Sequence, residues 1–288
     1  MKQGLKAALP LVVCPLCKGA LYARDENSVA CAQGHCFDVS RKGYVNLLQR
    51  QPREQYGKAL FAARHGLCQS GFFRTMTEKL AGMVTAHCPD APAILDAGCG
   101  EGSHLAGVAE HVGNTLEKGG TVGFDIAKEG VALAAAHYPQ AAWIAADIGT
   151  MPFQDNAFDV VLNILSPANF SEFRRCLKPG GLLLKVTPSE SYLCELREFL
   201  YPEREGIPYS NQRVLENADE KFEGLQAEGL NYRVEVAREH LACLLGMTPL
   251  AWRAADERRN ALLALDSFWV TVDLAVLKGV NPAQEKKE

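Results

Sequence analysis

Apolar residues in the middle of the chain come in short, dense runs. Ile94 to Ala97, Thr121 to Phe124, Trp143 to Ala146, Val160 to Leu162 and Leu182 to Val186 are the main ones. Runs this dense suit strands that are buried on both faces, as parallel strands are. Between them, apolar positions recur at helical spacing. Leu105 and Val108 predict a helix reaching about Val112, and two more follow over Ala127 to His137 and Phe170 to Leu177. Strand and helix in alternation predict an α/β domain on a parallel sheet. Lys118-Gly119-Gly120 and Lys178-Pro179-Gly180-Gly181 are predicted turns. Later the pattern changes to strict alternation. Tyr232 to Val236 and Phe268 to Leu274 are predicted to pair as the final antiparallel strands. Upstream, Leu60, Ala63, Leu67, Phe73, Met76, Leu80 and Val84 predict two helices divided at Gly71.

Length and charge add an organisation. The 288 residues suit one large domain with a small appendage. The net charge of −4 is uneven: residues 1–92 hold twelve Lys/Arg against six Asp/Glu, and the remainder eighteen against twenty-eight. A basic front on an acidic body predicts that the front meets a polyanion. The expected division is a small module over 1–50, a linker and helices over 51–92, and the main domain over 93–288. Met1 to Val13 is too short and too broken for a secretory signal, and no apolar run approaches membrane-spanning length. A cytoplasmic protein that does not engage membranes is expected. The ten cysteines do not resemble a disulfide framework, and Cys176, Cys194 and Cys243 fall in apolar patterns as core residues do.

The front carries the first chemistry. Cys14-Pro15-Leu16-Cys17 is followed, after thirteen intervening residues, by Cys31-Ala32-Gln33-Gly34-His35. Two knuckles, each bringing two ligands to a point, suit a tetrahedral structural zinc. Between them, Leu21 to Ala23 and Val29-Ala30 read as a hairpin turning at Asp25-Glu26-Asn27. About fifty residues form a poor core without such a staple. The expected ligands are Cys14, Cys17, Cys31 and His35, with Cys36 the competitor for the fourth place.

The second chemistry lies at Ile94-Leu95-Asp96-Ala97-Gly98-Cys99-Gly100-Glu101-Gly102. An apolar strand ends in an acid and breaks into glycines before a helix begins. Glycine lets a ligand approach the backbone closely. Asp125 ends the next strand, 23 residues beyond Gly102, near the spacing at which a carboxylate grips ribose hydroxyls. Capping the following helix is its competing role. Asn163, Ser166 and Pro167 follow the fourth strand, at the carboxyl end where ligands of parallel sheets sit.

The form D-x-G-x-G-x-G resembles motif I of class I S-adenosylmethionine (SAM) methyltransferases. The resemblance implies a Rossmann-like α/β fold with a seven-stranded sheet. It implies cofactor contacts from Asp96, Gly98, Gly100, Glu101, Gly102 and Asp125, with Asp147 accepting from the adenine amine. The front sharpens this. Cys-Pro-Leu-Cys, then Cys-x-x-x-His-x-Phe-Asp, then Lys42-Gly43-Tyr44-Val45-Asn46-Leu47-Leu48 resembles the start of the RlmA family, and Met247-Thr248-Pro249-Leu250-Ala251-Trp252 extends the likeness to the end. That family comprises 23S rRNA (guanine-N1)-methyltransferases, a macrolide-resistance enzyme among them. The resemblance adds Phe73 and Tyr192 to the SAM site, Phe73 with an equally good place as plain core. Tyr192 stands where the family has His, which weakens the transfer. The chemistry implied is methyl transfer from SAM to N1 of a guanine in an rRNA hairpin loop, with Asn163 and Pro167 at the acceptor pocket and no clear general base. Arg41, Lys42, Arg50, Arg53, Lys58 and Arg64 are candidates for phosphates, and Tyr44 and Tyr56 for stacking. The residues around Trp252 read equally as packing or as a pocket wall. A homodimer is compatible with all of this. Two rivals stand: a small-molecule methyltransferase acting on a quinone or antibiotic, against which the zinc knuckle argues, and a SAM-dependent RNA-binding regulator without catalysis.

Overall fold

The computed structural model describes residues 1–50, 56–113, 120–203, 216–218 and 220–282. Arg53 and the turn expected at Lys118-Gly119 lie outside the described residues, within the stretches 51–55 and 114–119.

A short helix α1 (Gln3–Ala8) opens the chain, followed by a three-stranded antiparallel sheet of β1 (Leu21–Ala23), β2 (Ser28–Cys31) and β3 (Cys36–Asp38). The hairpin turn between β1 and β2 is held by Asp25, whose carboxylate accepts from the Asn27 N–H and the Ser28 hydroxyl. Next come β4 (Val45–Asn46), α2 (Lys58–Gln69) and α3 (Arg74–His87), with Gly71 at the break between the helices as expected. The body then alternates: β5 (Ile94–Ala97), α4 (Ser103–Val112), β6 (Thr121–Asp125), α5 (Lys128–His137), β7 (Ala142–Ala145), β8 (Phe158–Ile164), α6 (Phe170–Cys176), β9 (Leu177–Pro188) and α7 (Cys194–Leu200). The long strands β10 (Glu223–Ala237) and β11 (Ser267–Val280) bracket two further helices, Arg238–Gly246 and Asp256–Leu263, and a 3-10 turn, Pro249–Arg253.

The main sheet runs β10-β11-β9-β8-β5-β6-β7-β4. β9, β8, β5, β6 and β7 are parallel neighbours, and β11 and β10 close the other edge antiparallel. Seven of these strands give the expected methyltransferase sheet. The eighth is a correction. β4 comes from the front of the chain and pairs in parallel with β7, Val45 opposite Ile144. Two residues are too few to announce a strand by pattern.

Alternation along the central strands feeds a core on each face. Ile94, Val160, Leu162, Leu182 and Leu184 face one, with α3, α4 and the helix Arg238–Gly246. Leu95, Ala97, Val161 and Leu183 face the other. The front packs into that second core: Leu5, Ala8, Val12, Val45 and Leu47 cluster with Leu95, Val122 and Ile144. The seam is also hydrogen-bonded. Val13 N–H donates to Pro152 C=O at 2.9 Å and Gln154 N–H to Leu11 C=O at 3.0 Å. The turn expected at 178–181 persists as a bulge inside β9, where pairing jumps from Phe158 opposite Leu177 to Val160 opposite Leu182.

Candidate functional site

The four expected metal ligands converge. One donor atom from each of Cys14, Cys17, Cys31 and His35 lies within 4.8 Å of all the others. Cys17 Sγ is 3.6 Å from Cys31 Sγ, and His35 Nδ1 is 3.5 Å from Cys14 Sγ and 3.3 Å from Cys31 Sγ. Such spacings fit the edges of a tetrahedron around zinc, whose bonds run at about 2.0–2.3 Å. Cys36 faces elsewhere, exposed and beside the Arg24 guanidinium at 3.7 Å. Three thiolates and one imidazole leave no open coordination position, so the site is structural.

The glycine turn is the second centre. Gly98 has φ +83° and Gly102 φ +86°, both in the left-handed region. A Cβ on Gly98 would overlap the Ser166 hydroxyl, and one on Gly102 would meet the Trp143 ring at 2.5 Å. Gly98 and Cys99 N–H both donate to Phe124 C=O, binding the turn to the end of β6.

Two cavities open over this turn. The larger, about 350 Å³, is walled by Phe61, Phe124, Ile126, Ala146 and Ile148, with Asp125, Ser166 and Pro167 at its polar side. The smaller, about 190 Å³, is lined by Phe73, Gly100, Glu101, His104 and Tyr192 among others. Gly98, Arg64 and Leu165 line both. An apolar slot with a carboxylate, joined to a polar slot with a cation, suits a nucleoside carrying an amino acid. Their combined size is in the range of cofactor sites, about 300–1,000 Å³.

The expected site residues are therefore only partly brought together. Gly98, Gly100, Glu101, Asp125, Phe73, Tyr192 and Pro167 line the cavities. Gly102 stands behind the turn. Asp125 accepts from the Gly100 N–H and the Ala127 N–H, each at 2.8 Å. It thus ties motif I to the start of α5 while facing the larger cavity. Burial raises its carboxyl, and these backbone donors oppose the shift. Glu101 is also buried, which would raise its carboxyl, yet hydrogen bonds from His65 and Ser103 bring it below the usual range. Asp96 lies beneath the turn, its Oδ1 without a partner among the described residues. Burial, with Asp125 and Glu101 nearby, pushes its carboxyl up to about 8. Asp96 lines neither cavity, so it supports the turn from below and does not face the cofactor space. Asp147 is exposed and lines neither cavity. It caps its own turn, accepting from the Gly149 N–H at 2.7 Å.

Removing the Asp125 side chain, by Asp125→Ala, should weaken SAM binding tenfold or more, because hydrogen bonds to a charged group are worth about 1.5–3 kcal/mol. Calorimetry checks this, with circular dichroism for the fold. Unchanged affinity would remove Asp125 from the cofactor site.

The acceptor side differs from expectation. Asn163 is fully buried and lines neither cavity. Its amide donates to Ala97 C=O at 2.6 Å and Pro167 C=O at 3.0 Å, so it braces the loop against β5. Ser166 and Pro167 themselves face the cavity. Leu165 sits in the left-handed region at φ +50°, a strained place for a leucine. A residue the sequence did not single out, Lys185, reaches the same loop. It is 4 % exposed, and its ammonium donates to Ser166 C=O at 2.6 Å. Burial pulls it from 10.5 down to about 8. Between those two pH values the unfolded lysine holds a proton that the folded one has released, so raising pH favours the fold there. The stability of the wild type should therefore gain on that of Lys185→Met across pH 8 to 10.5. Urea unfolding of both proteins over that window measures the difference. A flat difference would mean that the folded lysine keeps an ordinary affinity for its proton.

Comparison with known proteins meets this geometry at both centres. A family model described as "RlmA, N-terminal" matches residues 12–54, and one described as "Methyltransferase domain" matches residues 94–181. YxjB of Bacillus subtilis (strain 168), provisionally named a 23S rRNA (guanine-N(1)-)-methyltransferase, is 38% identical over 276 residues, 93% of this chain and 96% of its own length. The chain belongs to the RlmA family of 23S rRNA (guanine-N1)-methyltransferases. A second member, the 23S rRNA (guanine(748)-N(1))-methyltransferase of Streptomyces fradiae, is 36% identical over 83% of this chain and 85% of its own. Outside the RlmA family, the demethylmenaquinone methyltransferase of Chlorobaculum tepidum is 33% identical over only 34% of this chain and 41% of its own. The RlmA assignment makes the chain a SAM-dependent methyltransferase and its Cys3His cluster a structural zinc site.

Proposed function

We propose that this protein transfers a methyl group from SAM to N1 of a guanine in a hairpin loop of 23S rRNA. The observation that carries the reading is the reach of the likeness. Relatives named for this activity match over 83% to 93% of the chain, whereas the quinone enzyme matches about a third of it. In this reading residues 1–50 recognise RNA, 51–92 link and cover the cofactor, and 93–288 perform the transfer. Among the described residues no helix is long and apolar enough to cross a membrane. The reaction is assigned to the cytoplasm.

Bound SAM supplies an electrophilic methyl group on a sulfonium. Guanine N1 carries a proton near neutrality, so it becomes nucleophilic only as that proton leaves. The chain's part is to hold the two reactants. The turn from Gly98 to Gly102 gives backbone close to the cofactor. Asp125 would accept from the ribose hydroxyls, and Phe124, Ile126, Ala146 and Ile148, which wall the larger cavity, would exclude water around the adenine. Leu165, Ser166 and Pro167, fixed from behind by Asn163 and Lys185, form the wall toward the base. The carboxylates at the cavities, Asp125 and Glu101, are already engaged by backbone or side-chain donors. Catalysis therefore rests on positioning, which supplies about 7–11 kcal/mol in well-oriented reactions.

Incubation with radiolabelled SAM and deproteinised 23S rRNA tests the proposal. Label should enter the RNA, and primer extension should stop at one guanine, because a methyl on N1 blocks pairing. RNA that binds without acquiring label would favour the non-catalytic regulator. Label in a quinone and none in RNA would favour the small-molecule enzyme.

A further inference from the structure

At the mouth of the larger cavity stands a pair of rings that the fold does not need for packing. Tyr56 lines the cavity and is 38% exposed. Trp252 lies against it, ring centroids 6.0 Å apart and planes tilted by 55°, and is 54% exposed. The turn carrying Trp252 is firmly held. Thr248 caps the Leu250 N–H, and the Tyr201 hydroxyl donates to Leu250 C=O at 2.7 Å. Ala251 is buried, and Arg64 donates to Met247 C=O at 3.3 Å. Arg64 also lines both cavities. The held turn thus leaves one large aromatic ring half exposed against Tyr56, which itself lines the larger cavity. The exposed Arg253 follows it directly.

We infer that Tyr56 and Trp252 form an aromatic corner against which a purine base, turned out of the RNA hairpin loop, stacks as it approaches the cofactor cleft from outside. This rests on the rRNA reading above and names the residues that would receive the base. The chemistry is specific to a flat ring attached to a phosphate chain. Unstacked bases bind to aromatic faces, and neighbouring cations hold the backbone. The rings touch at a tilt that leaves no slot between them, so the base covers the open face of Trp252 and is not sandwiched. A side chain buried by its own fold would gain nothing from this position.

The test uses the full-length zinc-loaded protein with a synthetic 23S hairpin and a second hairpin that is abasic at the methylated guanine. Trp252→Ala should raise the RNA concentration for half-maximal methylation about tenfold, in line with the usual effect of losing one stacked base. Trp252→Phe should restore most of this, and SAM affinity by calorimetry should stay at the wild-type value in both. On the abasic hairpin, wild type and Trp252→Ala should bind alike. Unchanged RNA dependence in Trp252→Ala would overturn the inference. So would an equal loss on intact and abasic RNA, which would place the tryptophan on the backbone or on other bases. A parallel loss of SAM affinity would make Trp252 a prop for the cofactor cleft and overturn it as well. Failure of the wild type to methylate the intact hairpin would instead sink the rRNA reading, and the inference with it.

Discussion

Cys14→Ser combined with Cys17→Ser should abolish rRNA methylation while weakening SAM binding only modestly. The substitution leaves zinc with Cys31 and His35 alone, and one zinc per chain should be lost. The three strands of the front are three or four residues long and cannot hold their shape unaided. In zinc-finger peptides the metal supplies about 10–16 kcal/mol of apparent folding energy, so losing it melts the module outright. The consequences should not stop at residue 50, because the buried face of the front is also the body's. Leu5, Val12, Val45 and Leu47 share a core with Leu95, Val122 and Ile144, and β4 covers the edge of β7. Thermal unfolding of the remaining body should therefore begin at a lower temperature than in wild type. The glycine turn and Asp125, the cofactor contacts proposed above, lie at the ends of β5 and β6, away from that edge. Only Ala146 and Ile148 follow β7 directly. SAM affinity should fall by no more than about tenfold, or 1.4 kcal/mol.

RNA binding should respond differently from SAM binding. Log affinity falls with log salt by roughly 0.7 per phosphate contact on single strands and 0.9 on duplex. If Arg41, Lys42 and Arg50 hold phosphates, loss of the front flattens this dependence as well as reducing affinity. Filter binding across a salt series reads both quantities. A zinc-free variant with full RNA affinity and an unaltered slope would show that the front is a cap for β7. The basic front would then carry none of the recognition.

The parts legible in the sequence were those fixed by local chemistry. The zinc knuckles, the glycine turn and the alternating β10 and β11 depend on residues close in sequence or on a strict period. The parts that were not legible depend on where a strand stops and what covers it. β7 ends at Ala145, so Ala146 and Ile148 face the cavity while Asp147 turns outward. Asn163 falls on the buried phase of β8 beside Lys185 of β9, its register partner. Both act on the acceptor loop from behind, and nothing in an apolar run marks a lysine as buried. Helix α1 was hidden because Gln3 to Ala8 spans fewer than two turns and gains its order from packing with the body. Arg64 was legible as a cation but not as a resident of the cleft, since its partner, Met247 C=O, lies 183 residues away.

Gly98→Ala is the sharpest test of the cleft itself. The fold holds Gly98 at φ +83°, where an L residue costs about 1–2 kcal/mol. That strain alone would be tolerable. The added methyl group, however, would overlap the Ser166 hydroxyl and press on its Cβ. Ser166 cannot simply withdraw. Its carbonyl is held by Lys185, the preceding Leu165 N–H donates to Val186 C=O, and Pro167 C=O is held by Asn163. The clash is therefore passed to the whole loop, the wall proposed to position the base. It also falls where the two cofactor cavities meet, so the cofactor is disturbed as well as the loop. A displacement near 1 Å at a reacting centre costs about 10²-fold in rate. Single-turnover methylation should fall at least that far in Gly98→Ala, with SAM affinity also reduced. Gly98→Ala combined with Ser166→Gly removes the overlap and leaves only the backbone strain. It should recover a large part of the cofactor affinity and some of the rate. If the double variant is no better than the single one, contact with Ser166 is not what makes glycine necessary, and the positive φ and the close approach of the cofactor to the backbone are the remaining reasons.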